Sequence, residues 1–151
     1  MQFDPNKKAP EPREGIFKFT CSKAKEGTDK NGNDYLKLSL LVSIPGNDIP
    51  LRAGAFLSSH PKMIFKLQHF CECGGELGLA KFQTGEVTAA DCEGVEGWGK
   101  FVPDMSGYSD LDTVDFLPER KLAKLAGADK DAYEFSVQQY AQAESDGLPE
   151  E

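Results

Sequence analysis

The segment 35–43, YLKLSLLVS, constrains the fold more than any other stretch. Leu36, Leu38, Leu40 and Val42 recur at period two, which places them on one face of a strand and buries that face. Tyr35, Lys37 and Ser39 take the opposite face, an aromatic ring, a cation and a hydroxyl in a row. A half-buried antiparallel strand with that outer face presents a surface for contact.

The flanking segments supply its neighbours. In 16–25, Phe17, Phe19 and Cys21 alternate with Lys18, Thr20 and Ser22, a second amphipathic strand with its aromatics inward. Between the two lies DKNGND, where Asn31-Gly32 signals a hairpin because both residues tolerate positive φ. Asp29, Asn31 and Asn33 fall at the alternate positions of a calcium loop. That motif, however, needs Gly where Asp34 stands and Glu where Leu40 stands, so a plain hairpin is expected. A turn at 44–48 leads to a third strand over 49–57. Ser59 or His60 is expected to cap a following helix, with Pro61 in its first turn. Met63, Ile64, Leu67, Phe70 and Cys71 form the apolar stripe of that helix, Lys62, Lys66 and His69 lie off it, and Gly74-Gly75 ends it.

Residues 76–86 read as loop, and 88–91 as one helical turn with a capping box. A fourth strand covers 95–102, where Gly97 and Gly99 suggest bending or close backbone approach. After a loop at 104–108, a fifth strand covers 111–117 and stops at Pro118. Three strands, a helix and two strands is the element order of an OB-fold. The expected fold class is therefore mainly β: a five-stranded OB-fold barrel with a helix between strands three and four.

A length of 151 residues suits one such domain. The proline-rich segment 1–13 is expected to be a flexible arm, 14–118 the barrel, and 119–151 a helical or disordered acidic tail. Within that tail 119–125 can form a short basic helix. The segment 131–143 can form another with Tyr133, Val137 and Tyr140 on one side, and 145–151 is acidic and poor in structure-forming residues. No apolar run approaches eighteen residues, which excludes a membrane-spanning helix, and the first residues lack the apolar stretch of a signal peptide. A cytoplasmic location is expected. Cys21, Cys71, Cys73 and Cys92 then read as small buried thiols rather than disulfides.

Net charge is −8, unevenly spread: +3 over 14–66, −8 over 67–117 and −6 from 129 to the end. Overall acidity weighs against nucleic-acid binding, yet the local sign governs contact. No catalytic constellation emerges from the chain. A zinc site could be assembled from Cys71, Cys73, Cys92, His60 and His69, but the pair spacing is C-x-C and Cys71 belongs to an apolar stripe. Carboxylates over 93–115 read as a solvated acidic face rather than a metal-dependent active site. No catalytic residue, metal or cofactor is expected.

The informative constellation is basic and aromatic. Lys18, Lys23, Lys25, Lys37 and Arg52 lie on or beside the first three strands, with Tyr35 facing outward; Trp98, Lys100 and Tyr108 come from the fourth strand and the loop after it. Single-stranded nucleic acid requires this mixture, cations that track phosphates and flat rings on which bases stack. The competing reading is an acidic adaptor or DNA mimic, in which 67–117 and the tail bind a replication or recombination enzyme.

The runs NGNDYLKLSLLV, FLSSHPKMIFKLQHFCECGG, DCEGVEGWGKFV and TVDFLPE together resemble phage-encoded single-stranded DNA-binding proteins of OB-fold type, over about residues 14–119. The resemblance implies sequence-nonspecific coating of single strands in phage DNA replication or recombination, in the host cytoplasm and without turnover. It assigns DNA contact to Lys18, Tyr35, Lys37, Arg52, Trp98 and Lys100. It also implies an acidic tail that recruits replication enzymes and competes with DNA. Residues 145–151 lack the terminal aromatic of the bacterial type, which favours phage-encoded partners.

Overall fold

In the computed structural model, which describes residues 1–146, the first strand is the longest because it serves two partners. Strand β1 (Gly15–Thr28) pairs antiparallel with β4 (Glu96–Pro103) from Gly15 to Thr20, and with β2 (Asp34–Ser43) from Lys18 onward. Strand β2 pairs antiparallel with β3 (Leu51–Ser58), and β3 runs parallel to β5 (Leu111–Leu117) at Ala53 and Gly54. β5 returns antiparallel to β4, closing the barrel in the order β1-β2-β3-β5-β4. This is the expected OB-like five-stranded barrel, with helices between β3 and β4.

The period-two pattern holds where it was clearest. Leu36, Leu38, Leu40 and Val42 are buried, as are Leu51, Ala53, Ala55 and Leu57 of β3. Phe19 of β1, Phe116 of β5 and Phe70 from the capping helix form an aromatic triad. Phe116 stands edge-on to both others, at 5.1 and 4.9 Å between ring centroids.

Between β3 and β4 the structure departs from the expected single helix. Helix α1 (Ile64–Cys73) begins after Pro61-Lys62-Met63, and no side chain caps it. Ser58 and His60 instead organise the turn before it: Ser58 Oγ accepts from His60 N at 3.1 Å, and His60 Nδ1 accepts from Lys62 N at 3.0 Å. Gly74-Gly75 does end α1, but the chain re-enters a helix at once, α2 (Gly75–Gln83), where a loop was expected. Leu77, Leu79, Ala80, Lys81 and Phe82 are good or tolerable helix formers. Gly78 lets α2 fold back, because a side chain there would run into the Cys71 carbonyl. The one-turn helix α3 (Ala89–Cys92) carries the expected capping box between Thr88 and Asp91.

The hairpin between β1 and β2 is also less simple than an Asn-Gly turn. Only Gly32 has positive φ; Asn31 does not. The turn is held by Asp29, whose Oδ1 accepts from Asn31 N at 2.8 Å and Asn33 N at 2.9 Å, so it is the aspartate that spans the loop.

Past β5, α4 (Glu119–Leu122) is a single turn and α5 (Gly127–Asp146) a long helix lying on β1. Tyr133 and Tyr140 turn toward the barrel, but Val137 is exposed and Ser136 is buried in its stead. Only residues up to Asp146 of the acidic 145–151 segment fall among those described. No helix among the described residues is long and apolar enough to cross a membrane.

Helix α1 is tied to β5 by half-buried polar groups. Asp115 receives His69 Nδ1 at 2.9 Å on one oxygen and Lys121 Nζ at 2.8 Å on the other. Burial by itself would raise the Asp115 carboxyl, but these two partners outweigh it and hold the group below its usual value of 3.8. A carboxyl so lowered contributes its full stabilisation above that value and loses it as pH falls through the lowered one. Asp115→Asn is expected to cost about 1–3 kcal/mol at neutral pH. Urea unfolding from pH 7 to pH 2 should show the gap between the two proteins closing below about pH 4; an unchanged gap would contradict this role for Asp115.

Candidate nucleic-acid interface

The outer face of β1–β2–β3 depends on one irregularity. Before Cys21 the outward residues of β1 are Lys18 and Thr20; a bulge between Cys21 and Lys23 shifts the register by one. Beyond it Lys23, Lys25 and Gly27 point outward instead, opposite Ser39, Lys37 and Tyr35 of β2. A one-residue shift exchanges every side chain between faces. Without the bulge Lys23 and Lys25 would share the barrel side with Ala24 and Glu26 excluded from it.

Across β2, Lys37 lies opposite Phe56 and Leu41 opposite Arg52. Tyr35 and Phe56 meet diagonally, with ring centroids 4.8 Å apart and planes tilted by 32°. Gly27 permits this, because a side chain there would overlap the Tyr35 ring, which lies across the neighbouring strand. Phe56 is 44% exposed although it is a large apolar residue in a strand. Gly54, two residues before it, opens onto empty space. The face thus has an aromatic pair at one end, a clear floor at Ser39 and Gly54, and Arg52 at the other end.

Lys25 sits directly opposite Lys37, a pairing that is repulsive unless an anion lies between. Among the described residues, Lys23, Lys25, Lys37 and Arg52 take part in no ion pair, whereas five other lysine and arginine side chains do. Asp112, beside Gly54 on β5, marks the acidic border of the face.

The loop between β4 and β5 abuts the Arg52 end. Asp110 Oδ2 accepts from Arg52 N at 3.0 Å, and Asp110 N donates to Arg52 O at 3.1 Å. Asp104 braces the loop from within, accepting from Ser106 N at 2.9 Å and Ser109 N at 3.0 Å. Tyr108 is displayed at its tip, 95% exposed.

Of the nine residues singled out from sequence, six therefore border one open surface: Lys23, Lys25, Tyr35, Lys37, Arg52 and Tyr108. The other three, Lys18, Trp98 and Lys100, lie around the barrel under α5. Trp98 is flanked edge-on by Tyr133 at 4.8 Å and Tyr140 at 5.6 Å. The Lys18 ammonium sits over Trp98 and Tyr140, at 5.5 and 4.9 Å from their centroids. The Tyr140 hydroxyl accepts from Lys18 N at 2.9 Å and donates to Ser43 O, while Lys100 pairs with Asp129 at 3.0 Å. The aromatic and cationic character expected of this surface is present, but it is engaged by the chain's own C-terminal helix.

Phe56 belongs to the open face and was not among the expected contacts. Its signal was present: with Leu51, Ala53, Ala55 and Leu57 inward, period two places Arg52 and Phe56 outward.

The cysteine cluster offers no reactive thiol. Burial pushes Cys21 and Cys71 up to about 11 and Cys73 and Cys92 up to about 12, so all four stay protonated at neutral pH. Among the described residues no three His, Cys, Asp or Glu side chains gather as a metal site. No protein-family model matches the chain, and comparison with curated proteins finds no match.

Trp98 is the sole tryptophan, so its fluorescence reports the seating of α5. Tyr140→Ala is expected to red-shift and broaden that emission while far-ultraviolet circular dichroism keeps the barrel's signature. An unshifted spectrum would mean that α5 does not shield the indole in solution.

Proposed function

We propose that this protein binds single-stranded nucleic acid without sequence preference, through the open face of β1–β2–β3. The observation that carries the reading is one continuous surface holding the Tyr35–Phe56 pair beside Lys23, Lys25, Lys37 and Arg52, none of them in an ion pair among the described residues. Bases stack on exposed rings at about 1–3 kcal/mol each, and phosphates find the free cations. The seven residues from Tyr35 to Leu41 span about 20 Å of strand, room for a few nucleotides before the Tyr108 loop extends the track. In OB-type barrels this strand face and the loops beside it take up oligonucleotides. Protection of single strands in phage DNA replication or recombination, which the sequence resemblance implies, belongs to the same proposal.

Fluorescence anisotropy with labelled oligo-dT and a duplex of equal length tests it. Four phosphate contacts give a log–log salt slope of about −3 for a single strand. Tyr35→Ala and Phe56→Ala should each weaken binding by roughly 5- to 100-fold. Lys37→Ala should weaken it and flatten the salt slope by about 0.7. Trp98→Ala, altering a ring covered by α5, should change affinity less than either open-face aromatic. No binding to either oligonucleotide by folded protein would overturn the proposal and favour the acidic-adaptor reading.

A further inference from the structure

A second site lies on the other side of the β1–β2 hairpin. Beyond the bulge, Ala24 continues the barrel wall, while Glu26 and Thr28 are exposed past it, paired with the buried Leu36 and the exposed Asp34 of β2. Between the hairpin and the loop after α2 is a cleft of about 680 Å³. That volume lies within the range of sites that take a drug-sized ligand or a few peptide side chains. Its floor is apolar, formed by Leu36, Leu57, Ile64, Leu67, Phe82 and Val87, and its rim carries the carboxylates of Glu26, Asp34 and Glu86.

No lysine, arginine or histidine lines the cleft. Among the described residues none of its three carboxylates is in an ion pair; Asp34 only accepts from Thr28 Oγ1, at 3.0 Å. This rim repels a polyanion, so the cleft stands apart from the face proposed for nucleic acid even though Tyr35 and Gly27 border both. An occupant must combine an apolar body with positive charge around it, so that floor and rim are both satisfied.

We propose that this cleft docks a protein partner through a short segment in which an apolar anchor is flanked by arginine or lysine. The proposal is independent of the nucleic-acid reading, since it uses the opposite side of the hairpin and the opposite charge. A single strand on the outer face and a basic peptide beneath it can be bound together, which would let the barrel deliver coated strand to the partner.

The test uses the full chain and three fluorescein-labelled octapeptides: a Leu-Phe anchor between arginines, the same anchor between glutamates, and arginines with the anchor replaced by Gly-Ser. Binding of the first alone is expected. The Glu26→Gln, Glu86→Gln double variant should weaken it by roughly fivefold, at the scale of two exposed ion pairs. Val87→Phe, which fills the floor, should weaken it further, with circular dichroism and urea unfolding serving as checks that each variant remains folded. Equal binding of the anchored and anchorless arginine peptides would reduce the effect to general attraction by an acidic protein and overturn the proposal. Failure of all three peptides to bind folded protein would also overturn it. So would concentration-dependent self-association in sedimentation that the double variant abolishes, because a second copy would then be the occupant. Loss of oligo-dT binding by Phe56→Ala and Lys37→Ala, neither of which lines the cleft, leaves the peptide result untouched, so the two readings fail separately.

Discussion

The fold depends on β1 having to satisfy two partners at once. Closing five strands into a barrel requires one strand to leave β4 and continue along β2, and a strand that does so must bend. The bulge between Cys21 and Lys23 supplies that bend. It also exchanges the faces of the remainder of β1. The same irregularity that closes the core puts Lys23 and Lys25 on the outside and leaves Glu26 exposed past the barrel wall. The basic face and the acidic cleft are two products of one register shift.

Charge segregation follows from the same geometry. An acidic chain would ordinarily repel a polyanion, but its acids gather on the helical segment, the β4–β5 side and α5, while among the described residues Lys23, Lys25, Lys37 and Arg52 of the β1–β2–β3 face enter no ion pair. Helix α5 adds a second layer to this arrangement. It engages Trp98 edge-on with two tyrosines, holds the Lys18 ammonium over Tyr140 and pairs Lys100 with Asp129. The chain thereby divides its aromatic and cationic residues into an open set and a set engaged from within.

The sequence was most legible where a pattern of period two decides burial. The strands β2, β3 and β5 and the outward side chains of β2 could be read directly, because each residue's face follows from its neighbour's. The α1 stripe was equally plain at Leu67, Phe70 and Cys71. Less legible was α2, since Gly74, Gly75 and Gly78 look like a loop until the close approach of Gly78 to the Cys71 carbonyl is known. Val137 and Ser136 exchanged roles on α5 because a weakly amphipathic helix takes its orientation from what it docks on.

By itself, then, the sequence determined the barrel, the helical insertion and the supply of outward rings and cations, all of which are local consequences of alternation and of glycine and proline placement. It could not say which rings and cations share a surface. That depended on a bulge whose position no local propensity signals, on the diagonal meeting of Tyr35 and Phe56 across two strands, and on the seating of α5, whose Tyr140 lies 122 residues from the Lys18 amide it engages. Contacts between residues so far apart in the chain exist only once the barrel has closed, and only the tertiary structure decided them.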